Sequence, residues 1–274
     1  VHPINKYFDE VIVLHLLNHR ESDKRFKQTH NELSKEGIVG YTYPAILGTN
    51  LTVENTKGGD VTAGFAEQAL RSRSQNPRGN PGGFGQMMSF IRVLKYIVDA
   101  PHIQRVLFFE DDFKLNPSFK SRFAKYFKDV PTKWDLVYLG MSSNHRKPHL
   151  VKNLNIDMPE SLKYNNIVTD NVIIPKGGTG LYSVAISKQG AKNLLQKLLP
   201  IKKDTFDYTK FAEKHAHLNI PFDEYPTVAS LDVYISKLFP KLNVYYLRNN
   251  KYGDLVDFKT GTNNPSTINL VQER

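Results

Sequence analysis

The sequence predicts a single α/β domain built on a mostly parallel central sheet flanked by helices, and three features predict it. Short apolar, β-favouring runs alternate along the chain with stretches whose apolar residues recur at helical spacing. The runs at 10–16 and 105–109 are apolar nearly throughout, which suits strands covered on both faces. No repeat period and no clear linker interrupts the 274 residues, a length that one large domain accommodates. The expected core spans residues 8–247, and a polar, Asn-rich tail follows at 248–274.

Taken in order, Glu10-Val-Ile-Val-Leu-His-Leu16 reads as the first strand. The polar, basic segment 18–25 leads into a helix with Ser22 as N-cap, Gly37 as stop and Phe26 and Leu33 facing inward. A strand, a basic loop and a helix in that order commonly seat a nucleotide. Arg20 and Arg25 are then either diphosphate contacts or surface charges. No glycine-rich fingerprint is present, which argues against a dinucleotide fold. Residues 41–48 read as a second strand ending in a turn. The region 50–83 is irregular apart from a short helix after Thr62, and its part from Arg71 to Gly83 is the most loop-like in the chain, a candidate lid or acceptor loop.

Met87, Met88, Ile91, Leu94 and Val98 recur at helical spacing, so 86–98 is a helix on the sheet with its methionines as core filler. After the strand at 105–109, Asn116 and Pro117 suit the cap and first turn of a helix burying Phe119, Phe123 and Phe127. Trp134–Gly140 gives another strand, followed by a polar loop at 141–147; residues 148–170 are weakly patterned. Gly177–Gly180 leads into a strand at 181–186 and a helix capped by Ser187. Residues 226–236 form an amphipathic helix carrying Asp232, and 242–247 is the last strand.

Composition narrows the function. At 40 % hydrophobic residues the chain is not disordered, no apolar run approaches a membrane span, and no signal-peptide pattern opens it. The lack of cysteine removes disulfides, thiolate zinc sites and cysteine nucleophiles, and leaves the compartment open. A formal charge of +10 favours anionic partners, with nucleic acid and nucleotides among them. The cations are spread along the chain, however, and the aromatics lie in apolar runs rather than interleaved with them. That counts against a nucleic-acid stacking platform.

The chemistry concentrates at Glu110-Asp111-Asp112, three adjacent acids at the end of the 105–109 strand, where an α/β sheet opens its ligand crevice. Adjacent carboxylates repel one another unless a cation or donors offset them. Oxygen-rich clusters suit hard divalent ions such as Mg²⁺ or Mn²⁺. The competing reading is a solvated acidic loop capping the next helix.

The order of motifs resembles glycosyltransferase family 25, which includes bacterial lipooligosaccharide galactosyltransferases and procollagen galactosyltransferases. Across roughly 10–240, the first strand with its basic loop looks like the family's opening region. Pro44-Ala-Ile-Leu-Gly48 looks like its turn, and Gly85-Gln-Met-Met-Ser89 like its glycine-x-x-x-serine helix start. Phe109-Glu110-Asp111-Asp112, Trp134-Asp-Leu-Val-Tyr-Leu-Gly140, Gly178-Thr-Gly-Leu-Tyr182, Ser187-Lys-Gln-Gly-Ala191 and Leu231-Asp232 continue the series. Phe90 stands where the family has histidine, and the loop 58–83 is longer than in compact bacterial members.

That resemblance implies a GT-A-type, Rossmann-like fold, a UDP-sugar donor, a divalent metal (Mn²⁺ or Mg²⁺), and inversion at the anomeric carbon. The acceptor is a carbohydrate or a hydroxylated protein. Asp112 is implied as metal ligand, and Glu110 as a second ligand or a ribose or metal-water contact. Asp111 is implied as a donor contact or an inward structural acceptor. Asp232 is the catalytic base or completes the metal shell. Arg20, Arg25 and Ser89 are implied as donor contacts, and Gly178 and Thr179 as contacts of the sugar pocket or the acceptor. The rival readings are an inactive nucleotide- or carbohydrate-binding relative, a nucleic-acid-binding protein, and a metal-dependent nucleotidyltransferase or phosphatase.

Overall fold

The computed structural model describes residues 4–56, 60–70, 81–141, 166–175, 178, 180–202, 231–249 and 253–258. A nine-stranded mixed sheet forms its centre. The first edge consists of β1 (Glu10–His15), β2 (Tyr41–Pro44) and β3 (Arg105–Phe109), all parallel, in the order β2-β1-β3. The order continues through β8 (Ser183–Ser187), β5 (Leu136–Tyr138), β9 (Val244–Asn249), β7 (Val172–Ile174) and β6 (Asn166–Thr169), with β10 (Gly253–Asp254) added on β9.

The strands β2, β1, β3, β5, β9 and β6 share one direction, while β8 and β7 run against them. The sheet is thus mostly parallel, as the sequence predicts, and its reversed strands have local reasons. The turn at Asp170 and Asn171 between β6 and β7 is too short for a parallel crossover. Strand β8 starts at the end where the other central strands finish, pairing Ser183 with Phe109.

Side chains alternate to two faces, and each face is covered. On one, Val106, Phe108, Leu136, Tyr138 and Val184 meet the helices α4 (Ala63–Leu70), α5 (Pro81–Asp99), α7 (Lys188–Leu198) and α8 (Leu231–Leu238). On the other, Leu107, Phe109, Val137 and Ala185 meet α1 (Ile4–Tyr7), α2 (Arg20–Lys35) and α6 (Phe119–Phe127). The aromatic face of α6 forms a stack there, Phe119 to Phe123 at 5.9 Å and Phe123 to Phe127 at 5.1 Å between ring centres. Residues 106–109 are thus buried on both sides, as their composition predicts, while Arg105 at the start of the strand is exposed.

Several boundaries differ from the sequence reading for identifiable reasons. Helix α2 starts at Arg20 with His19 as a cap residue that makes no side-chain bond, because Ser22 faces the interior. Its end is as expected: Gly37 takes φ +70°, and the Ile38 and Gly37 amides bond back to Leu33 and Ser34. Helix α5 begins at Pro81, five residues earlier than the apolar periodicity shows. Pro at the first helical position is favourable. Gly85 allows close packing within this helix, since a Cβ there would sit 2.6 Å from the Ile46 carbonyl.

Asn116 does not cap α6. Its amide group donates to the Asp254 carbonyl at 2.7 Å, and Ser118, with φ 61°, takes the cap position.

Strand pairing also continues beyond residue 247. Residues 253–258 form β10 and β11 (Val256–Phe258), and β11 pairs with β4 (Phe113–Leu115) directly after the acidic turn. Leu255 and Val256 are fully buried, and both amides bond to the Leu139 carbonyl, at 3.0 and 3.1 Å. Gly140 makes this crossing possible, because a Cβ there would overlap the Val256 carbonyl. Of the lid or acceptor loop expected at 71–83, residues 71–80 lie outside the described residues and 81–83 open α5. Residues 142–147 of the polar loop, the weakly patterned stretch up to 165 and the helix start at 226–230 also lie outside them. No described helix is long and apolar enough to cross a membrane.

Candidate active site

The C-terminal ends of β1, β3 and β9 and the start of β8 lie at one end of the sheet. The acidic turn is there, following Phe109. Its three carboxylates have different environments.

Asp111 is turned into the protein. Arg25 meets it side-on, Nε to Oδ1 at 3.0 Å and an Nη to Oδ2 at 3.2 Å, and the Ser22 hydroxyl donates to Oδ2. The Thr29 hydroxyl donates to its main-chain carbonyl at 2.9 Å, and His15 lies 3.8 Å from Oδ2. Burial opposes the charged form. His15, the charge and bonds of Arg25 and the Ser22 hydroxyl outweigh it and hold the carboxyl below its ordinary range. Arg25 is accordingly a buried partner of Asp111 rather than a surface cation.

Asp112 is in the opposite condition. Its Oδ1 is buried and has no hydrogen-bond partner. Burial first, and then the Asp111 charge, push its carboxyl up to about 7, with Arg25 pulling the other way. Glu110 accepts a hydrogen bond from the Gln86 side chain on α5. It is raised well above the usual range by burial, then by Asp112, and further by Asp232 and Asp111, against the pull of Gln86. Glu110 therefore feels the charges of both Asp112 and Asp232, although Asp232 lies far along the chain.

Asp232 is the second residue of α8. Its Oδ2 accepts the Gly180 amide at 2.9 Å, and one helical turn on, the Ser236 hydroxyl accepts the Gly178 amide at 3.1 Å. These two bonds hold the loop before β8 against α8. Gly180 needs its φ of 91°, and a Cβ on Gly178 would overlap Met141. Burial and the Asp232 charge raise the Tyr138 hydroxyl far above its ordinary value, so this tyrosine stays neutral.

The remaining expected site residues divide. Arg20 is exposed in the first turn of α2, beyond the end of β1. Ser89 is fully buried and faces structure: it donates to the Gly85 carbonyl at 2.6 Å and accepts the Ile46 amide at 2.7 Å, tying the 45–48 turn to α5. Phe90 is a core residue, edge-on to Phe108 at 5.2 Å. Thr179 lies outside the described residues.

Sequence reasoning missed Gln86, Thr29 and His15, and misplaced Ser22. A signal was present for α2: Ser22, Arg25, Thr29 and Glu32 are spaced three, four and three apart, a polar stripe at helical period. The Ser22 hydroxyl lies 3.0 Å from His15 Nδ1, and His15 Nε2 lies 2.9 Å from Asp23, which looks like a nucleophile triad. It is not one. Ser22 is fully buried and accepts the Leu16 amide while donating to Asp111.

Among the described residues no group of three or more Asp, Glu or His side chains is arranged to hold a metal ion. The chemistry of the site still fits one. A buried, unpartnered carboxylate oxygen beside a second acid is a donor set for a hard cation, and Mg²⁺-type sites take one or two carboxylates and complete the shell with substrate phosphates and water.

No protein-family model matches the chain. Among solved structures it is similar to the galactosyltransferase LgtC in complex with donor and acceptor sugar analogues, at 13 % identity and TM-score 0.39, over 87 % of this chain and 73 % of that one. It is also similar to mouse xyloside xylosyltransferase 1 in its apo form, at 7 % identity and TM-score 0.40, over 87 % and 84 %. A glycosyltransferase involved in glycosylating the major capsid of PBCV-1 matches at 11 % identity and TM-score 0.33, over 87 % and 92 %. Likeness at this level identifies no family.

Proposed function

We propose that the chain is a metal-dependent, inverting glycosyltransferase that moves a hexose, galactose or glucose, from a UDP-sugar to a hydroxyl acceptor. That acceptor is a hydroxyl of a glycan or of hydroxylysine in a collagen-like chain. The observation that carries the proposal is the buried Asp112 oxygen with no partner, set beside Glu110, which feels the charges of Asp112 and Asp232. Carboxylates gathered in this way destabilise the fold and would repel a diphosphate. A divalent cation removes both difficulties. The order of motifs along the sequence supplies the sugar-transfer class.

In this reading Asp112 and Glu110 hold the cation, Mn²⁺ or Mg²⁺. When bound, it would neutralise negative charge growing on the leaving diphosphate, a contribution of several kcal/mol. Gln86 donates to Glu110 and fixes its orientation. Arg20, exposed at the same end of the sheet, is the cation on offer to the diphosphate. Asp232 takes the acceptor's proton or completes the metal shell, and its bond to Gly180 holds it and the glycine loop together. Arg25, Asp111 and Ser89 act from behind, as structure.

The test is release of free nucleoside diphosphate from a panel of nucleotide sugars with Mn²⁺ and then with EDTA. Turnover of one UDP-sugar that EDTA abolishes is the expected result. Absence of any UDP binding in the presence of metal would end this reading.

A further inference from the structure

Resting on the metal-dependent reading above, we propose that Thr29 is a positioning residue that sets the direction of the Asp112 carboxylate through the peptide bond before it. Asp112 Oδ1 has no hydrogen-bond partner, and the hydrogen bond that its carboxyl does receive comes from its own main chain. What fixes the acid must then come substantially from the backbone that carries it. The Thr29 hydroxyl donates to the Asp111 carbonyl oxygen at 2.9 Å, and Thr29 is fully buried. That carbonyl belongs to the planar unit running from the Cα of Asp111 to the Cα of Asp112. Holding its oxygen orients the whole plane, and with it the point from which the Asp112 side chain leaves.

The neighbouring bonds make this one device rather than a lone contact. Ser22 and Arg25 hold the Asp111 carboxylate, Thr29 holds its carbonyl, and Glu32 accepts the Leu115 amide at 2.9 Å. All four lie on one stripe of α2, so a single rigid helix grips the side chain, the carbonyl and the following strand of a turn whose acids repel one another. Groups that orient a ligand from behind commonly change metal affinity by 10–100-fold when removed.

The experiment compares Thr29→Val, which keeps the shape and removes the hydroxyl, with Thr29→Ser, which keeps the hydroxyl. Thr29→Ala, which leaves room for a water at the carbonyl, serves if the valine variant does not fold. Mn²⁺ binding to the full chain in the presence of UDP is measured by electron paramagnetic resonance of the free ion, beside a thermal melt. The expected result is Mn²⁺ affinity weaker by roughly tenfold for the folded Val or Ala variant, and affinity close to the parent for Ser. A residue that only filled the core would lower the melting temperature and leave the affinity of folded protein unchanged. That outcome overturns the proposal. If the parent chain itself binds neither Mn²⁺ nor UDP, the transferase reading fails and Thr29's role fails with it. Parent-like binding by a folded variant removes the positioning role alone.

Discussion

The two ends of the sheet treat the same kind of residue in opposite ways. At the end where β1, β3 and β5 begin, acids are matched by donors. Asp9 accepts the Gln104 and Arg105 amides at 2.7 and 2.8 Å, and Glu10 accepts the Tyr96 hydroxyl at 2.9 Å. Asp135 accepts the Asn193 side chain and the Asn243 amide, both at 2.8 Å. At the end where those strands finish, Asp112 has a buried oxygen with no partner. His19 Nδ1 and the Ser183 hydroxyl are buried without a hydrogen-bond partner near the end of β1 and at the start of β8. Native interiors satisfy nearly all buried polar groups. Under the proposed function, the exceptions at one edge are where a ligand supplies the missing partners. The other edge holds the fold.

The sharpest way to break that contrast is a pair of aspartate substitutions, one from each end. Asp112→Ala is expected to lower turnover of the UDP-sugar by two or more orders of magnitude, on the order of 3 kcal/mol. Its melting temperature should stay level or rise, since a buried unpartnered carboxylate is removed. Asp135→Ala should do the reverse. Losing two bonds to a charged acceptor, at roughly 1.5–3 kcal/mol each when buried, should lower stability by about 3 kcal/mol and leave turnover per folded molecule unchanged. Diphosphate release and thermal melts on both proteins decide it. An Asp112→Ala enzyme with near-full activity, or an Asp135→Ala protein that melts normally but is inactive, would erase the distinction.

The contrast also explains what was legible in the sequence. The strands at β1, β3 and β8 and the Phe-rich face of α6 follow from apolar periodicity, because burial there is the whole requirement. Ser187 as a cap and Gly37 as a stop follow from local backbone chemistry. The acidic turn was legible as chemistry, but the roles of its members were not. Which of three consecutive acids faces inward depends on α2, whose Ser22, Arg25 and Thr29 reach it across more than eighty positions of sequence. The Trp134-Asp135 and Ser187-x-x-Gly190 motifs stood beside the acids as marks of resemblance, yet they belong to the structural end. Gly190 is required there because a Cβ would overlap the Asp135 carbonyl. Residues 253–258 read as tail because long-range pairing with β4 leaves no local periodic signal.

A smaller effect sharpens the same contrast through pH. The carboxyl of Asp112 is raised to about 7 in the folded protein, against roughly 3.9 in an unfolded chain. The folded state therefore holds that proton more tightly than the unfolded state. The penalty of the unpaired charge is absent below about pH 4 and develops as pH rises toward 7. Glu110 is shifted in the same direction. Metal-free protein should lose melting temperature between pH 5 and pH 8 relative to Asp112→Asn, and Mn²⁺ should restore more at pH 8 than at pH 5. Superimposable melts for the parent and Asp112→Asn at both pH values would show that this end carries no electrostatic strain.

The smallest expected effect belongs to Ser187, at the structural end. Its hydroxyl oxygen accepts the Gly190 amide at 2.9 Å, capping α7, and its hydroxyl donates to the Trp134 carbonyl at 2.8 Å. Removing a serine cap typically costs about 1 kcal/mol, which in a domain of this size lowers the melting temperature by roughly 2–4 °C. Ser187→Ala should show that loss, and Ser187→Thr, which keeps the hydroxyl, should recover most of it. Neither should change Mn²⁺ affinity or diphosphate release, because the cap lies a full strand length from Asp112, across β8 from Ser183. A change in metal affinity with Ser187→Ala would mean that strain passes along β8 to the acidic end, and the two ends would then have to be treated as one coupled system.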